Sequence, residues 1–512
     1  MVLEAFGQAI LNFGSLELWF YITLGVVIGL VLGVTPGIGA LTGLALVLPF
    51  VFVMPPSSAL ALMIALGSVA CTGGSMTSIL LNVPGTTVNA ATLIDGYPMS
   101  QMGQAGRALG AALASSAAGG VATVFFAFAM VPLIIPLVVA LRSADMVFLV
   151  LLGLAFIAVL GRESMAKGLL SGVLGVTVSF IGVQVKTAVP RFTFDNVYLY
   201  DGLPFAPVVL GLFAVPEMIA LAVMGGSIAR SGVLDKGIGG VMEGVKDVGR
   251  HWWLWLRCSV IGYVIGVIPG IGATAATFIA YGHAKQTSKN PHEFGTGRVE
   301  GVIAPESANN AKEAGSLLTT LAFGIPGSAE MTFLLGALLI IGVIPGPEMI
   351  TKHLPLSLTL FLIIIVSNLM AGAICFALTS HVARLALVPS HILIPPVLTI
   401  TFVGTYAARQ EFNDLIVLMA FGFIGLAMRE FGYNRPALLL GFVLGTLLEK
   451  YLFLALGVAG PLFFVRPISL ALILMTVGVI VFNPIRDLLA RRSRTAMVAV
   501  TATKNPEVSG EG

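Results

Sequence analysis

Two Pro-Gly motifs, each present in both halves of the chain, define the chemistry this sequence could do. Gly33-Val-Thr-Pro-Gly-Ile-Gly-Ala40 returns as Gly266-Val-Ile-Pro-Gly-Ile-Gly-Ala273, seven identities in eight positions at an offset of 269 − 36 = 233 residues. Asn82-Val-Pro-Gly-Thr86 returns as Gly324-Ile-Pro-Gly-Ser328 at 326 − 84 = 242, with Thr77-Ser78 facing Thr319-Thr320 at the same offset. Proline removes a backbone donor and glycine weakens a helix, so each motif should interrupt the helix that carries it. In hydrocarbon the freed polar groups need partners from protein or a water-filled cavity, and transporters use such half-helix starts to hold anions. The positive end of a helix dipole adds to that attraction.

Candidate substrate- and ion-contacting positions at the first motif are Pro36, Gly37 and Gly39, with Pro269, Gly270 and Gly272 in the second half. At the second motif they are Thr77, Ser78, Asn82, Pro84, Gly85 and Thr86, with Thr319, Thr320, Pro326, Gly327 and Ser328 as counterparts. Glu306, Ser307, Asn309 and Asn310 lie just ahead of the second-half break. Hydroxyl and amide groups can donate to a carboxylate or accept a sodium ion without the cost of burying fixed charge. This predicts a small anionic cargo, with sodium or the proton as coupling ion. Pro-Gly kinks and small polar residues also serve plain helix packing. Two motifs repeated in the same order favour a site.

Glu306 could exchange a coupling ion, or its carboxylate could cap a helix start, as Ser307 or Asn309 could, and both readings stay open. Lys312 falls in a charged stretch of the chain, residues 285–313, and is expected as a solvated loop charge. An ion pair with Glu313 or Glu306, or contact with a substrate carboxylate, is the alternative. Glu330 sits just past the second-half break. Paired intramembrane carboxylates are not evident, and the six histidines show no His-Glu-x-x-His motif. No Gly-Lys dipeptide occurs, so the phosphate-binding Walker loop is absent. A gradient-driven carrier without cofactor is the leading reading and catalysis is not expected. An ion channel with a half-helix filter is the first rival and an intramembrane enzyme the second.

The elements that must position these residues are membrane helices. Hydrophobic residues make up 57% of the chain and charged ones 10%, with a mean hydropathy of +1.01, against roughly 25% charged residues in a soluble domain. Apolar stretches recur from Leu18 to Phe482, and at about 20 residues per span they predict about a dozen crossings plus half-length pieces. The fold class is therefore an all-α polytopic membrane protein in the lipid bilayer. A net charge of +3 offers no basic field for nucleic acid. Cys71, Cys258 and Cys375 have no metal-ligand spacing and read as packing residues.

Arg230, Lys236, Lys246, Arg250 and Arg257 lie between the halves, and Arg486, Arg491, Arg492 and Arg494 lie in the tail. The positive-inside rule puts both groups in the cytoplasm, whereas residues 1–17 carry Glu4 and Glu17 without Lys or Arg and are placed outside. The first half then enters from outside and the second from inside, the signature of an inverted-topology two-fold repeat. Residues 1–224 form the first transmembrane half and residues 258–484 the second. Between them, residues 225–257 form a basic amphipathic cytoplasmic linker, with Trp252, Trp253 and Trp255 as an interfacial anchor. Residues 485–512 read as a polar cytoplasmic tail, expected to be disordered. The first apolar span reads as a retained helix rather than a cleaved signal peptide.

Ala304-Pro-Glu-Ser-Ala-Asn-Asn-Ala311, followed by Gly324-Ile-Pro-Gly-Ser328 and Leu334-Leu-Gly-Ala-Leu338, resembles the large membrane subunit of tripartite tricarboxylate transporters. Gly33-Val-Thr-Pro-Gly-Ile-Gly39 fits that family's first signature. The resemblance runs from about Gly25 to beyond Arg435 and carries over to the motif positions above, with Pro305. It implies a multi-pass carrier of the bacterial inner membrane that imports carboxylates on an ion gradient. It also implies a small membrane subunit and a periplasmic solute-binding protein as partners. Lys312 and Glu313 stand where some members of that family have small residues, which puts local polarity and substrate preference in doubt.

Overall fold

The structure, a computed structural model, describes residues 2–35, 38–159, 164–184, 186–224, 240–269, 272–378 and 390–481. Pro36, Gly37, Gly270, most of the linker segment with Arg230 and Lys236, and the tail 485–512 lie outside the described residues. Helices dominate, as they must where backbone polar groups can find partners only within their own segment. Seven helices among the described residues are long and apolar enough to cross a membrane, and shorter apolar helices accompany them.

The first half opens with α1 (Val2–Asn12) and α2 (Leu16–Val34), whose start Ser15 caps by accepting the Leu18 N–H at 3.4 Å. After the first break come α3 (Gly39–Val47) and α4 (Pro56–Leu81), then, past the second break, α5 (Ala90–Gln101). Gly25, Gly29 and Gly33 of α2 press on the carbonyls of Leu62, Leu66 and Ala70 of α4, so these two helices run parallel. The chain must therefore turn back through α3, which makes the first Pro-Gly motif the tip of a helical hairpin. Ser58 Oγ donates to Glu17 Oε1 at 3.1 Å and closes the mouth of that hairpin.

α6 (Ala105–Val139), α7 (Ser143–Val159), α8 (Met165–Ser179) and α9 (Phe205–Met224) complete the half. A two-stranded antiparallel hairpin, Gly182–Val183 with Pro190–Arg191, interrupts them. Arg191 is held by Glu449 through two hydrogen bonds of 2.8 and 2.9 Å, tying this hairpin to the helix Arg435–Ala459.

The second half repeats the plan. The short α10 (Val241–Arg250) leads into α11 (Trp252–Val267), then α12 (Gly272–Thr287), α13 (Glu300–Phe323) and α14 (Ala329–Ile340). Gly262 and Gly266 meet the carbonyls of Ala308 and Lys312, the counterparts of the Gly29–Leu66 and Gly33–Ala70 contacts, so α11 and α13 also run parallel around a hairpin. The two halves run in opposite directions. Asn310 Nδ2 donates to Thr72 Oγ1 at 2.9 Å and Ser75 Oγ to Glu306 Oε1 at 2.7 Å, a pairing that only antiparallel α4 and α13 can make. A two-fold axis in the membrane plane relates halves in this way. α15 (Pro347–Thr351), α16 (Leu354–Ala377) and the helices Ser390–Arg409, Asn413–Glu430, Arg435–Ala459 and Pro467–Val481 follow.

At the junction of the halves, α10 lies against α6 through Arg107 Nε to Asp247 Oδ2 at 2.5 Å, and Arg250 reaches Asp247 Oδ1 at 2.9 Å. Burial alone would push the Asp247 carboxyl up, but these two guanidinium groups outweigh it and hold it below the ordinary carboxylate range. Trp252 and Trp253 are exposed, Arg257 lies 5.9 Å over the Trp253 ring, and Trp255 Nε1 donates to Ser115 O at 3.2 Å. Nearby, Asp95 Oδ1 accepts the backbone N–H groups of Gly295, Gly297 and Arg298 at 2.8–2.9 Å, fastening the α12–α13 connection to α5.

Two sequence expectations are corrected by this fold. Residues 300–313 are not a charged loop, because α13 begins at Glu300 and is buried along almost its whole length. The solvated Lys312 is thereby overturned, since its side chain is 2% exposed inside α13, which carries too many polar residues to read as a membrane span. Glu306 likewise cannot cap the start of α13, because it lies six residues inside the helix (306 − 300 = 6).

Candidate substrate-binding site

All four breaks are real interruptions followed by a new helix start. Gly39 and Gly272 open α3 and α12 with φ of +64° and +76°, a left-handed conformation that glycine adopts without cost. The second breaks also begin alike, α4 ending on Asn82 at φ +56° and α13 on Gly324 at φ +68°. Asparagine is the residue most able to replace glycine there, because its short polar side chain tolerates the left-handed region.

These starts converge. Thr87 Oγ1 and Thr274 Oγ1 lie 3.3 Å apart, joining the first-half break to the α12 tip, and Thr277 Oγ1 donates to Val88 O at 3.0 Å. A Cβ on Gly39 would lie 3.8 Å from Thr86 Cγ2, so the α3 tip reaches the same break. Pro269 stands between α11 and α12 beside it.

Many of the expected hydroxyl ligands are spent on backbone. Thr77 and Ser78 each donate to Gly74 O at 3.0 Å, Ser307 to Ile303 O at 2.6 Å, Thr319 to Val267 O at 2.8 Å and Thr320 to Ser316 O at 2.6 Å. Thr320 Oγ1 also accepts the Gly327 N–H at 3.2 Å, while Gly85 donates its own N–H to Gly74 O at 3.4 Å. The protons of these hydroxyls are thereby engaged, while their oxygens keep acceptor capacity. Pro326 and Ser328 are buried, whereas Pro84 and Thr86 are half-buried and Asn82 exposed.

The centre of the site is a polar network between α4, α5 and α13. Glu306 is fully buried and accepts from Ser75 at 2.7 Å, Thr92 at 2.5 Å and Asn309 at 3.2 Å. Asn89 donates to Cys71 O and Ser75 Oγ, each at 2.9 Å, and accepts from Thr86 at 2.6 Å. Asn310 bridges to Thr72 and, by a short hydrogen bond, to Asn368 of α16. The side-chain carbonyl oxygens of Asn309 and Asn310 are buried and have no protein partner, which leaves both with unused acceptor capacity.

Sequence reasoning missed Thr92 and Asn368, and it held the Lys312–Glu313 pair only as an alternative, without Glu330 as a partner. Asn368 had a readable signal, being a buried amide in the apolar helix Leu354–Ala377. Paired carboxylates, which the sequence did not reveal, are present: Lys312 Nζ lies 2.7 Å from Glu313 Oε1 and 3.5 Å from Glu330 Oε2. A separate cavity of about 1140 Å³ opens beside the 182–191 hairpin and the helix Arg435–Ala459, and none of the candidate residues lines it.

Comparison with known proteins converges on the same motifs. The Tripartite tricarboxylate transporter TctA family matches residues 19–440, most of the chain and both repeats. The chain belongs to this family. An uncharacterized 52.8 kDa protein in the TAR-I ttuC' 3'region of Agrobacterium vitis is 32% identical over 485 residues, covering 93% of this chain and 94% of that one. An uncharacterized protein in the TAR-II ttuC' 3'region of the same organism is 34% identical over 215 residues, covering 41% of this chain and 89% of its own. No solved structure matches. The TctA family is a transporter family, so this is a multi-pass membrane transport protein.

Proposed function

We propose that this TctA-family chain is the translocating subunit of a secondary importer, carrying a small carboxylate between its four helix breaks on a sodium or proton gradient. The observation that carries this reading is the meeting of helix starts from both halves at Thr86, Thr87, Gly39 and Thr274, beside buried amides with unspent acceptors. Positive helix ends attract the carboxylate, and the amide and hydroxyl groups select its remaining polar atoms. The Ser75–Glu306 and Thr72–Asn310 hydrogen bonds hold α4 against α13, so movement of one repeat against the other would reshape the site.

The family name speaks of a tripartite system, which supports a small membrane subunit and a periplasmic solute-binding protein as partners. Placement in a bacterial inner membrane with a cytoplasmic carboxyl terminus is supported by Lys246, Arg250 and Arg257 at the α10–α11 junction. The decisive test is uptake of a carboxylate panel (citrate, dicarboxylates, aromatic acids) into vesicles holding the whole complex, with sodium and proton gradients imposed separately. Saturable uptake of unchanged substrate under one gradient is expected. Absence of uptake under both overturns the reading, and unsaturable conductance points to a channel instead.

A further inference from the structure

Around the breaks the two halves share their Pro-Gly turns and their glycine contacts, and among the positions where they differ is a charged trio. With the offset of 242 residues, Lys312, Glu313 and Glu330 correspond to Ala70, Cys71 and Val88 (312 − 242 = 70, 313 − 242 = 71, 330 − 242 = 88). The structure supports this alignment, because Gly33 meets the Ala70 carbonyl as Gly266 meets that of Lys312. In the first half, Cys71 and Val88 pack with Ala273 of the opposite hairpin as a small apolar cluster. In the second half the equivalent places hold a lysine and two carboxylates.

Packing does not explain the difference. A buried ion pair is generally no more stabilising than well-packed apolar residues, and the twin position shows that apolar residues close the same contact. The trio carries one positive and two negative charges, a net −1 in a low-dielectric setting where an added proton is strongly felt. Its two contacts are unequal. Glu313 lies 2.7 Å from Lys312 with a side chain 4% exposed, whereas Glu330 lies at 3.5 Å with a side chain 15% exposed. A small cavity, with room for about one water, adjoins Glu313 and Glu330 beside Ser68. Its other walls from α3, α4, α14 and α16, among them Leu44, Met63, Leu334 and Ile364, bring no titratable group. Cys71 of α4, a buried thiol of the first-half cluster, is the further titratable side chain near the trio.

We propose that Lys312 exchanges partners during transport: it holds Glu330 in the empty carrier, and when a substrate carboxylate takes that place Glu330 binds one proton. This rests on the carboxylate-carrier reading above. Glu330 is the partner that leaves, because its contact is the longer one and it opens α14 directly after the second break. Glu313 stays and keeps Lys312 neutralised. The balance closes: the Glu330 carboxylate plus one proton from water becomes the neutral acid, Lys312 keeps its charge, and one carboxylate replaces another. The buried group carries net −1 both empty and loaded. The proton is therefore the coupling ion, one for each carboxylate bound at Lys312.

The test uses the complete transporter in proteoliposomes with citrate and succinate as probes. For the wild type, half-saturation of substrate exchange should fall as the pH is lowered from about 8 to about 6, and a pH gradient alone should drive uptake. Glu330→Gln leaves Lys312 permanently available, so half-saturation should be low and flat across that range, with gradient-driven uptake down at least about tenfold. A Glu330→Gln carrier that still concentrates either probe on a pH gradient overturns the proposal, as does wild-type uptake driven by sodium alone with pH-independent exchange. A second reading needs no variant: citrate added to the purified wild-type complex at about pH 8 should draw about one proton per citrate from a weakly buffered indicator solution. Citrate binding without proton uptake overturns the exchange while leaving the carrier intact. Failure of the wild type to bind, exchange or take up either probe overturns the carrier reading itself.

Discussion

The first-half and second-half breaks share a sequence but not an environment. Asn82 is exposed and Val83, Pro84 and Thr86 half-buried, whereas Gly324, Ile325, Pro326 and Ser328, at the matching positions, are buried, and Thr87 is exposed where its counterpart Ala329 is half-buried. At the hairpins the inequality is reversed: Thr35 and Thr42 are buried and their counterparts Ile268 and Ala275 half-buried. The first-half break and the second hairpin are thus the more open pair, and the second-half break and the first hairpin the more enclosed one. A pseudo-symmetric carrier that held both sides equally would leak or lock, so unequal burial of equivalent segments is what one end of an alternating-access cycle looks like. The Lys312 trio belongs to the second-half break and its apolar twin, Cys71 and Val88 packed with Ala273, to the first-half break, and the two differ in charge rather than in depth.

The comparison can be broken most forcefully at that pair. Lys312→Ala should cost about 3–5 kcal/mol of stability because it leaves buried carboxylates uncompensated, whereas Cys71→Ala on the twin side should cost about 1 kcal/mol or less. Thermal unfolding of the purified proteins measures both, and equal losses would deny the asymmetry. The next effect tests what the halves share. Gly33→Ala and Gly266→Ala each drive a methyl group into a neighbouring helix carbonyl, and each should destabilise by about 1–3 kcal/mol. A loss at only one of them would undo the structural equivalence.

A smaller effect concerns access. Thr86→Cys should react with a polar maleimide about tenfold faster than Ser328→Cys, a difference of about 1.4 kcal/mol in effective barrier, because Thr86 is only half-buried and Ser328 is buried. Labelling at equal rates would remove the one-sided opening. The smallest effect lies at the junction of the halves, where His251 Nε2 is 3.5 Å from Glu300 Oε1. The Glu300 carboxylate, against the opposing effect of burial, holds the His251 imidazole above its ordinary value of 6.5. A group raised in the folded state stabilises fully below its unfolded value and loses that contribution as pH rises through the folded one. Wild-type stability should therefore decline slightly above about pH 6.5 relative to His251→Gln, measured by unfolding temperature against pH.

How much of this was legible varied with how local the cause was. The helix interruptions at Gly39, Gly272, Asn82 and Gly324 could be read directly, because the lost donor of proline and the left-handed preference of glycine and asparagine act within a few residues. The antiparallel relation of the halves was readable from the repeat and the basic linker, and the Thr72–Asn310 and Ser75–Glu306 pairs agree with it. Partner choice was not readable. Thr77, Ser78, Thr319 and Thr320 were expected to face a ligand, yet each donates to a backbone carbonyl, because a hydroxyl near a helix end finds one closer than any cargo.

By itself, then, the sequence determined an all-α membrane protein of two repeats, each broken twice, since apolar run length and Pro-Gly backbone chemistry are properties of short segments. Only the tertiary structure decided that Lys312, Glu313 and Glu306 lie deep inside rather than in a charged loop or at a helix cap. Burial is a property of what surrounds a helix: α13 is enclosed by α4, α6, α11 and α12, and no count of its own charges reveals that enclosure.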